Sequence, residues 1–242
     1  MVSLKLLYLA GIAVSTTGAT AQTSTGLRYM PFGDSITEIV CWRAKLWEKL
    51  QDTEWATVDW VGSGTTENNC QDTKYDRDNE GHSGFLAIDI ANKKQLVGWL
   101  EKNPADVITM HLGTNDIAQQ NKPVNDIIAA FTTLLEVMRT SNPRMKIVVA
   151  QIIPMGLGNF NTQIEALNKA IIPWATEKNS TESPIWVVDQ YTGFSSTDLR
   201  DGVHPNASGD DKMVEVWYPA LVHAFEVAAA DKAAVVARQF VA

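Results

Sequence analysis

The chain predicts an α/β fold, a five-stranded parallel sheet with helices on both faces, and three observations predict it. Five short apolar runs, at 27–32, 57–61, 106–112, 146–152 and 185–188, are rich in Val, Ile and aromatic residues. They mostly lack clean polar alternation, as expected of strands covered on both sides. Between them lie stretches with apolar residues at helical spacing. Strand and helix patterns alternate throughout, and right-handed crossovers turn that order into a parallel sheet.

Among the helices the clearest pattern is Val124, Ile127, Phe131, Leu134 and Met138, at steps of three and four, opened by Pro123 near its first turn. Other helical patterns cover 41–51, 86–101, 160–174 and 213–225. Pro173 and Pro219 fall inside two of these and predict a kink or an early end, since proline lacks the N–H and crowds the preceding turn. The Ala- and Val-rich tail, 228–242, extends the last helix or packs loosely beyond it. Residues 62–84 form a long polar stretch rich in Gly, Asn and Asp, and loops of that length in compact domains usually carry function or disorder. With no internal repeat, low-complexity tract or linker, residues 22–242 read as one domain.

Residues 1–21 read as an export signal. Lys5 supplies the positive start, 6–14 an apolar stretch, and Ala19-Thr20-Ala21 a small-residue cleavage pattern. The stretch is too short to span a membrane, and no later segment is long and apolar enough. The expected product is a secreted, extracellular monomer. Removing the signal takes Lys5, its only charged residue, and moves the formal net charge from −8 to −9. Such acidity speaks against nucleic acid and anionic membranes as partners. In an oxidising compartment the pair Cys41 and Cys70 suggests one disulfide, anchoring the middle of the 62–84 loop. Asn179 and Asn206 begin glycosylation sequons, which matter in a eukaryotic host.

In open α/β sheets ligands sit beyond the carboxyl ends of the strands. Ser35 follows the first run, Gly84 closes the long loop after the second, Asn115 follows the third, and Asp201 and His204 follow the fifth. A serine hydroxyl needs a base to become a nucleophile, and His204 is the candidate. Asp201, three residues earlier, can accept from Nδ1–H and leave Nε2 facing Ser35, while Pro205 biases His204 away from helix. Taken alone, Asp-x-x-His also suits an ordinary helix-entry turn. A tetrahedral intermediate needs preorganised donors, which the Ser35 and Gly84 N–H groups and the Asn115 amide can offer, with Gly81 as the alternative glycine. Asp34 and Asp116 read as residues that bond turn backbones. His82, His111 and His223 lack ligand spacing and a supporting Cys cluster, so neither metal nor cofactor is expected. His82, in the site loop, and Trp42, beside Cys41, are the candidates for substrate contact.

Gly33-Asp34-Ser35-Ile36, the glycine of Glu80-Gly81-His82-Ser83-Gly84, Gly113-Thr114-Asn115-Asp116 and Asp201-x-x-His204 resemble, in order and spacing, the four blocks of the SGNH (GDSL-type) hydrolases. The resemblance implies a flavodoxin-like three-layer α/β/α sandwich. It also implies Ser35 as nucleophile and oxyanion donor, Gly84 and Asn115 as the other donors, and His204 with Asp201 as base and orienter. Within that superfamily the Gly-Asp-Ser-Ile-Thr start, Trp42-Arg43 and the Asn-Glu-Gly-His-Ser-Gly loop look most like the third carbohydrate-esterase family, secreted acetyl xylan esterases. The expected function is removal of acetyl groups from an acetylated plant cell-wall polysaccharide. The chain departs from that family at Glu38-Ile39-Val40-Cys41, where small residues are expected. Ile36, Thr37, Glu38 and Ile39 then suggest a cramped acyl pocket. A lipase-like or thioesterase member is the nearest rival, disfavoured by the lack of an apolar lid segment. A carbohydrate-binding protein on a hydrolase scaffold would lack one of these residues. A flavin-binding module would want a hydroxyl- and glycine-rich phosphate loop where Asp34 stands.

Overall fold

The computed structural model describes residues 26–71 and 74–239; the export signal read at 1–21 and residues 240–242 of the tail lie outside the described residues. The strands are β1 (Arg28–Gly33), β2 (Asp59–Trp60), β3 (Glu80–Gly81), β4 (Val107–His111), β5 (Lys146–Gln151) and β6 (Ile185–Asp189). Their order is β2-β1-β4-β5-β6, and every pairing is parallel.

All five apolar runs contain strands, but the five-stranded expectation needs one correction. β3 also pairs with β1, at Phe32 and Gly33, whereas β2 pairs with it at Arg28 and Tyr29. The edge is therefore one interrupted strand in two short pieces. β3 escapes a sequence reading because Glu and Gly are poor strand formers. Tertiary bonds hold it there: the buried Glu80 carboxylate accepts from Ser63 N–H at 3.0 Å and Ser63 Oγ–H at 2.5 Å.

Side chains alternate across the sheet and build two cores. Met30, Phe32, Ile108, Met110, Ile147 and Val149 meet α3 (Ala87–Asn92), α4 (Gln95–Lys102), α6 (Val124–Ser141) and α7 (Asn161–Lys178). Tyr29, Val107, Val148 and Ala150 meet α2 (Trp42–Gln51) and α8 (Ala207–Gln239) on the other face. This is the expected three-layer sandwich. Each fully buried Leu or Phe, such as Leu134 and Phe131 on α6, contributes about 1.5–3 kcal/mol of apolar transfer.

Two helical expectations change. The stretch 86–101 is two helices, broken where Lys94 takes φ +54°. Ala87, Ile90 and Ala91 set one apolar face, while Leu96 and Leu100 are out of step with it, and a break restores both to the core. Conversely, α7 runs on through Pro173 and α8 through Pro219. Both prolines are exposed, as are Lys169 and Glu215, whose carbonyls lose their bonds. Those groups face solvent while Trp174 and Trp217 stay packed in the core, so the helices persist. The tail does extend the last helix, to Gln239.

The 62–84 loop is fastened rather than loose. Cys41 and Cys70 form a disulfide across 29 residues, as expected. Beneath it the buried Arg43 guanidinium donates to the carbonyls of Thr37, Glu38, Thr66 and Arg77. One residue thus ties the first helical turn to the loop.

Candidate active site

β1 ends at Gly33, where an added Cβ would fall against Thr37 Oγ1 and 2.7 Å from the His111 carbonyl oxygen. Only glycine lets the chain turn so tightly there. Ser35 then opens the single turn α1 (Ser35–Glu38), capped by Asp34, whose Oδ1 accepts from Ile36 N–H at 2.9 Å. The first N–H of a helix has no partner within it, so the Ser35 amide faces outward as a donor.

The segment after β6 supplies the base. His204 Nε2 lies 2.8 Å from Ser35 Oγ, and His204 Nδ1 lies 2.8 Å from Asp201 Oδ2. Asp201 Oδ1 also accepts the N–H groups of Val203, at 3.0 Å, and His204, at 2.8 Å. Gly202, at φ +83°, lets this turn close. Partial burial works against the Asp201 charge, but the backbone and ring bonds from His204 and the bond from Val203 outweigh it and hold the carboxyl down at about 2. Asp201 is ionised at any ordinary pH. Arg200, which the sequence reading passed over, places Nε 3.7 Å from Asp201 Oδ2 and donates from Nη2 to the Ile39 carbonyl at 2.8 Å. It joins the base segment to the end of α1.

Two more segments stand at the same edge, following β3 and β4, which both end opposite Gly33. Asn115 lies in α5 (Thr114–Gln120), a helix the sequence reading missed; its Nδ2 donates to Phe85 O at 3.0 Å, leaving its second amide hydrogen available. Gln119, one turn on, donates to Asn115 Oδ1 at 2.9 Å and to Gly84 O at 3.3 Å. Its signal was the four-residue spacing to Asn115, readable only once α5 is recognised. Gly84 sits at φ +80°, where an added side chain would be strained. Glu38 Oε2 accepts Ser83 N–H at 2.7 Å and so steadies the same loop. Gly81 instead packs a would-be Cβ 2.6 Å from the Glu38 amide nitrogen, in the strand rather than at the open edge.

Several residues stand elsewhere than expected. Trp42 is 1% exposed, donates its indole N–H to Ile36 O at 2.8 Å and packs on Trp217, so it is a core residue and not a substrate contact. The sequence placed it near the site correctly but could not show which way the ring points. His82 stacks on Trp99, 4.1 Å between centroids, with Nε2 2.7 Å from the buried Glu80. Of the four residues expected to crowd the acyl pocket, Ile36 and Thr37 are buried behind the nucleophile and Glu38 turns to Ser83, while Ile39 is half-buried. Asp34 and Asp116 do bond backbones: Asp116 accepts from Ala87 N–H at 2.8 Å and Ile88 N–H at 3.1 Å, capping α3. Burial pushes the Asp34 carboxyl up to about 7, against its bond from Ile36 and helped by the charge of Asp116. Burial pushes His111 down to about 3, and its Nε2 accepts from Ile153 N–H. Asn206 caps α8, accepting from Ser208 and Gly209 while Nδ2 donates to Thr197 O.

A serine, a histidine and a carboxylate in line at one edge of a parallel α/β sheet form the arrangement that acyl transfer needs. The chain belongs to the GDSL-like Lipase/Acylhydrolase family, whose profile matches residues 32–212. It is 31% identical over 216 residues to a multidomain esterase of Ruminococcus flavefaciens, covering 79% of this chain but only 28% of that protein. It is similar to a solved carbohydrate esterase family 3 protein from Talaromyces cellulolyticus, with TM-score 0.79, 38% identity, and coverage of 83% of this chain and 98% of that one. A serine-to-alanine mutant of an acetyl esterase, solved with acetate ion, superposes with TM-score 0.79 at 37% identity, covering 83% and 98%. A Clostridium thermocellum family 3 carbohydrate esterase, at 24% identity and TM-score 0.70 over 84% and 98%, shares the fold.

Proposed function

We propose that the chain is a secreted acetyl esterase that removes acetyl groups from an acetylated plant polysaccharide, xylan foremost. The observation that carries the reading is the line Asp201–His204–Ser35, held by two 2.8 Å contacts at the open edge of the sheet. Ser35 Oγ attacks the ester carbonyl while His204 Nε2 takes its proton, and Asp201 stabilises the imidazolium and fixes the ring. The oxyanion meets the N–H groups of Ser35 and Gly84 and the free amide hydrogen of Asn115. His204 returns the proton to the departing sugar hydroxyl. A water, deprotonated by the same imidazole, then releases acetate from the acyl-serine.

Support for acetate and for carbohydrate comes from the acetyl esterase and carbohydrate esterase family 3 structures at 37–38% identity. The disulfide supports export into an oxidising compartment. Of the two sequons, Asn179 is exposed, whereas Asn206 has its amide engaged in the cap of α8. A glycan, where the host adds one, goes on Asn179. Acetate release from acetylated xylan, measured beside kcat/KM for para-nitrophenyl acetate, butyrate and octanoate, tests the reading. A preference for octanoate with no acetate released from xylan would replace it with a lipase-like activity.

A further inference from the structure

Beside the base segment lies a groove of about 580 Å³, within the usual range for ligand sites. One wall is the loop carrying Asn68, Asn69 and Gln71, another is α2 at Lys45 and Glu48, and the floor is Ala44 with the Cys41–Cys70 disulfide. Arg200 and Pro205 line it too, and they bracket Asp201 and His204 in the chain. We propose that this groove is a subsite for the sugar units next to the acetylated one, so that the enzyme grips the polymer and not the acetyl ester alone. The proposal rests on the acetyl-esterase reading above.

Three features select an uncharged glycan. The side chains of Asn68, Asn69 and Gln71 are exposed and, among the described residues, make no hydrogen bond within the protein. Three free amides offer donors and acceptors together, which is what hydroxyl groups require. The floor of alanine and disulfide is apolar and suits the C–H face of a sugar ring. The cations around it are offset by neighbouring carboxylates, with Lys45 and Arg200 standing beside Glu48. Lys45 is also paired to Asp211 at 2.5 Å and Arg200 to Asp201.

The groove is also built in advance. Asn69 holds φ +51°, a left-handed conformation that Asn tolerates better than most residues, and Cys70 beside it is bonded to α2. Arg43 fixes the far side of the loop through Thr66 and Arg77. A ligand would therefore pay little ordering entropy there.

Two substrates separate this proposal from the reading beneath it. For the unaltered enzyme, kcat/KM on acetylated xylo-oligosaccharides should rise with the number of sugar units, and para-nitrophenyl acetate sets the baseline. The double substitution Asn68→Ala, Gln71→Ala should lower kcat/KM on the oligosaccharides about tenfold, mainly through KM, the scale of losing two neutral hydrogen bonds. Hydrolysis of para-nitrophenyl acetate should stay within twofold. Oligosaccharide kinetics unchanged by the substitutions, or an equal loss on both substrates, would overturn the subsite. An unaltered enzyme that fails to hydrolyse para-nitrophenyl acetate would overturn the esterase reading, and the subsite with it.

Discussion

Gln119 donates from Nε2 to Asn115 Oδ1 at 2.9 Å and to the Gly84 carbonyl at 3.3 Å, so one side chain ties together the two residues proposed as the distal oxyanion donors. Gln119→Ala should lower kcat about tenfold with KM nearly unchanged, because it loosens donors that act in the transition state. Gln119→Glu, whose carboxylate cannot donate to Asn115 Oδ1, should be at least as damaging. Steady-state kinetics on para-nitrophenyl acetate decide it, and a rise in KM at constant kcat would make Gln119 a ground-state contact.

Asn115→Ala removes the donor itself and should cost roughly 100- to 1,000-fold in kcat, the range for one lost oxyanion donor. A loss smaller than that of Gln119→Ala would contradict the assignment.

Ser35→Ala and His204→Ala should each lower kcat by on the order of 10⁴-fold or more, with circular dichroism and Tm near those of the unaltered protein. Asp201→Asn should lower it by about 10⁴-fold, since an amide no longer selects the right imidazole tautomer. Near-normal turnover in the serine variant would end the nucleophile assignment.

Stability should depend on Asp210, whose Oδ1 accepts Cys41 N–H at 3.2 Å and Trp42 N–H at 3.0 Å and so caps α2. Burial pushes its carboxyl from 3.8 up to about 7, against those two bonds and the charges of Lys45 and Arg200. A carboxyl that ionises less readily when folded favours the fold below its unfolded value and loses that advantage as pH rises through about 7. Asp210→Asn keeps an oxygen for both N–H groups and removes the titration. Chemical denaturation from pH 4 to pH 8 should show a shallower fall in the variant; identical slopes would show that Asp210 is not the group responsible. His111, pushed down to about 3 by burial, contributes in the opposite sense in both proteins, so the comparison cancels it.

Reduction of Cys41–Cys70 should cost about 3–4 kcal/mol by the chain-entropy account, for a loop closed across 29 residues. Acetate release from the polymer should fall with it, since the bond floors the groove. Denaturation midpoints with and without a reductant, and thiol titration of the native protein, check both points.

The parts of this molecule legible in sequence are those written locally. Apolar runs marked the strands, and Ser35, Asn115, Asp201 and His204 stood at strand ends, which is why Ser35, Asp201 and His204, which the fold brings into contact, could be named together. What was not legible depends on distant partners. Asp210 caps α2 from 169 residues away at Cys41, and nothing near either position announces it. β3 exists because Ser63 and α1 hold Glu80 and Gly81 in place, not because those residues favour a strand. The break at Lys94 was readable in principle, since Leu96 and Leu100 are out of step with Ala91. Trp42 shows the remaining limit, because proximity in sequence to a site residue does not say which layer a side chain enters.

The interrupted edge has a consequence for how copies of this protein behave in solution. A continuous outer strand presents a row of unpaired amides and carbonyls that a second chain can extend. Here β2 covers Arg28 and Tyr29, β3 covers Phe32 and Gly33, and the chain leaves the sheet between them. Each outer piece is only two residues long, so a visiting strand finds no straight ladder to join on that side. The detour that gives the site its long loop therefore also blunts that side of the sheet against self-association.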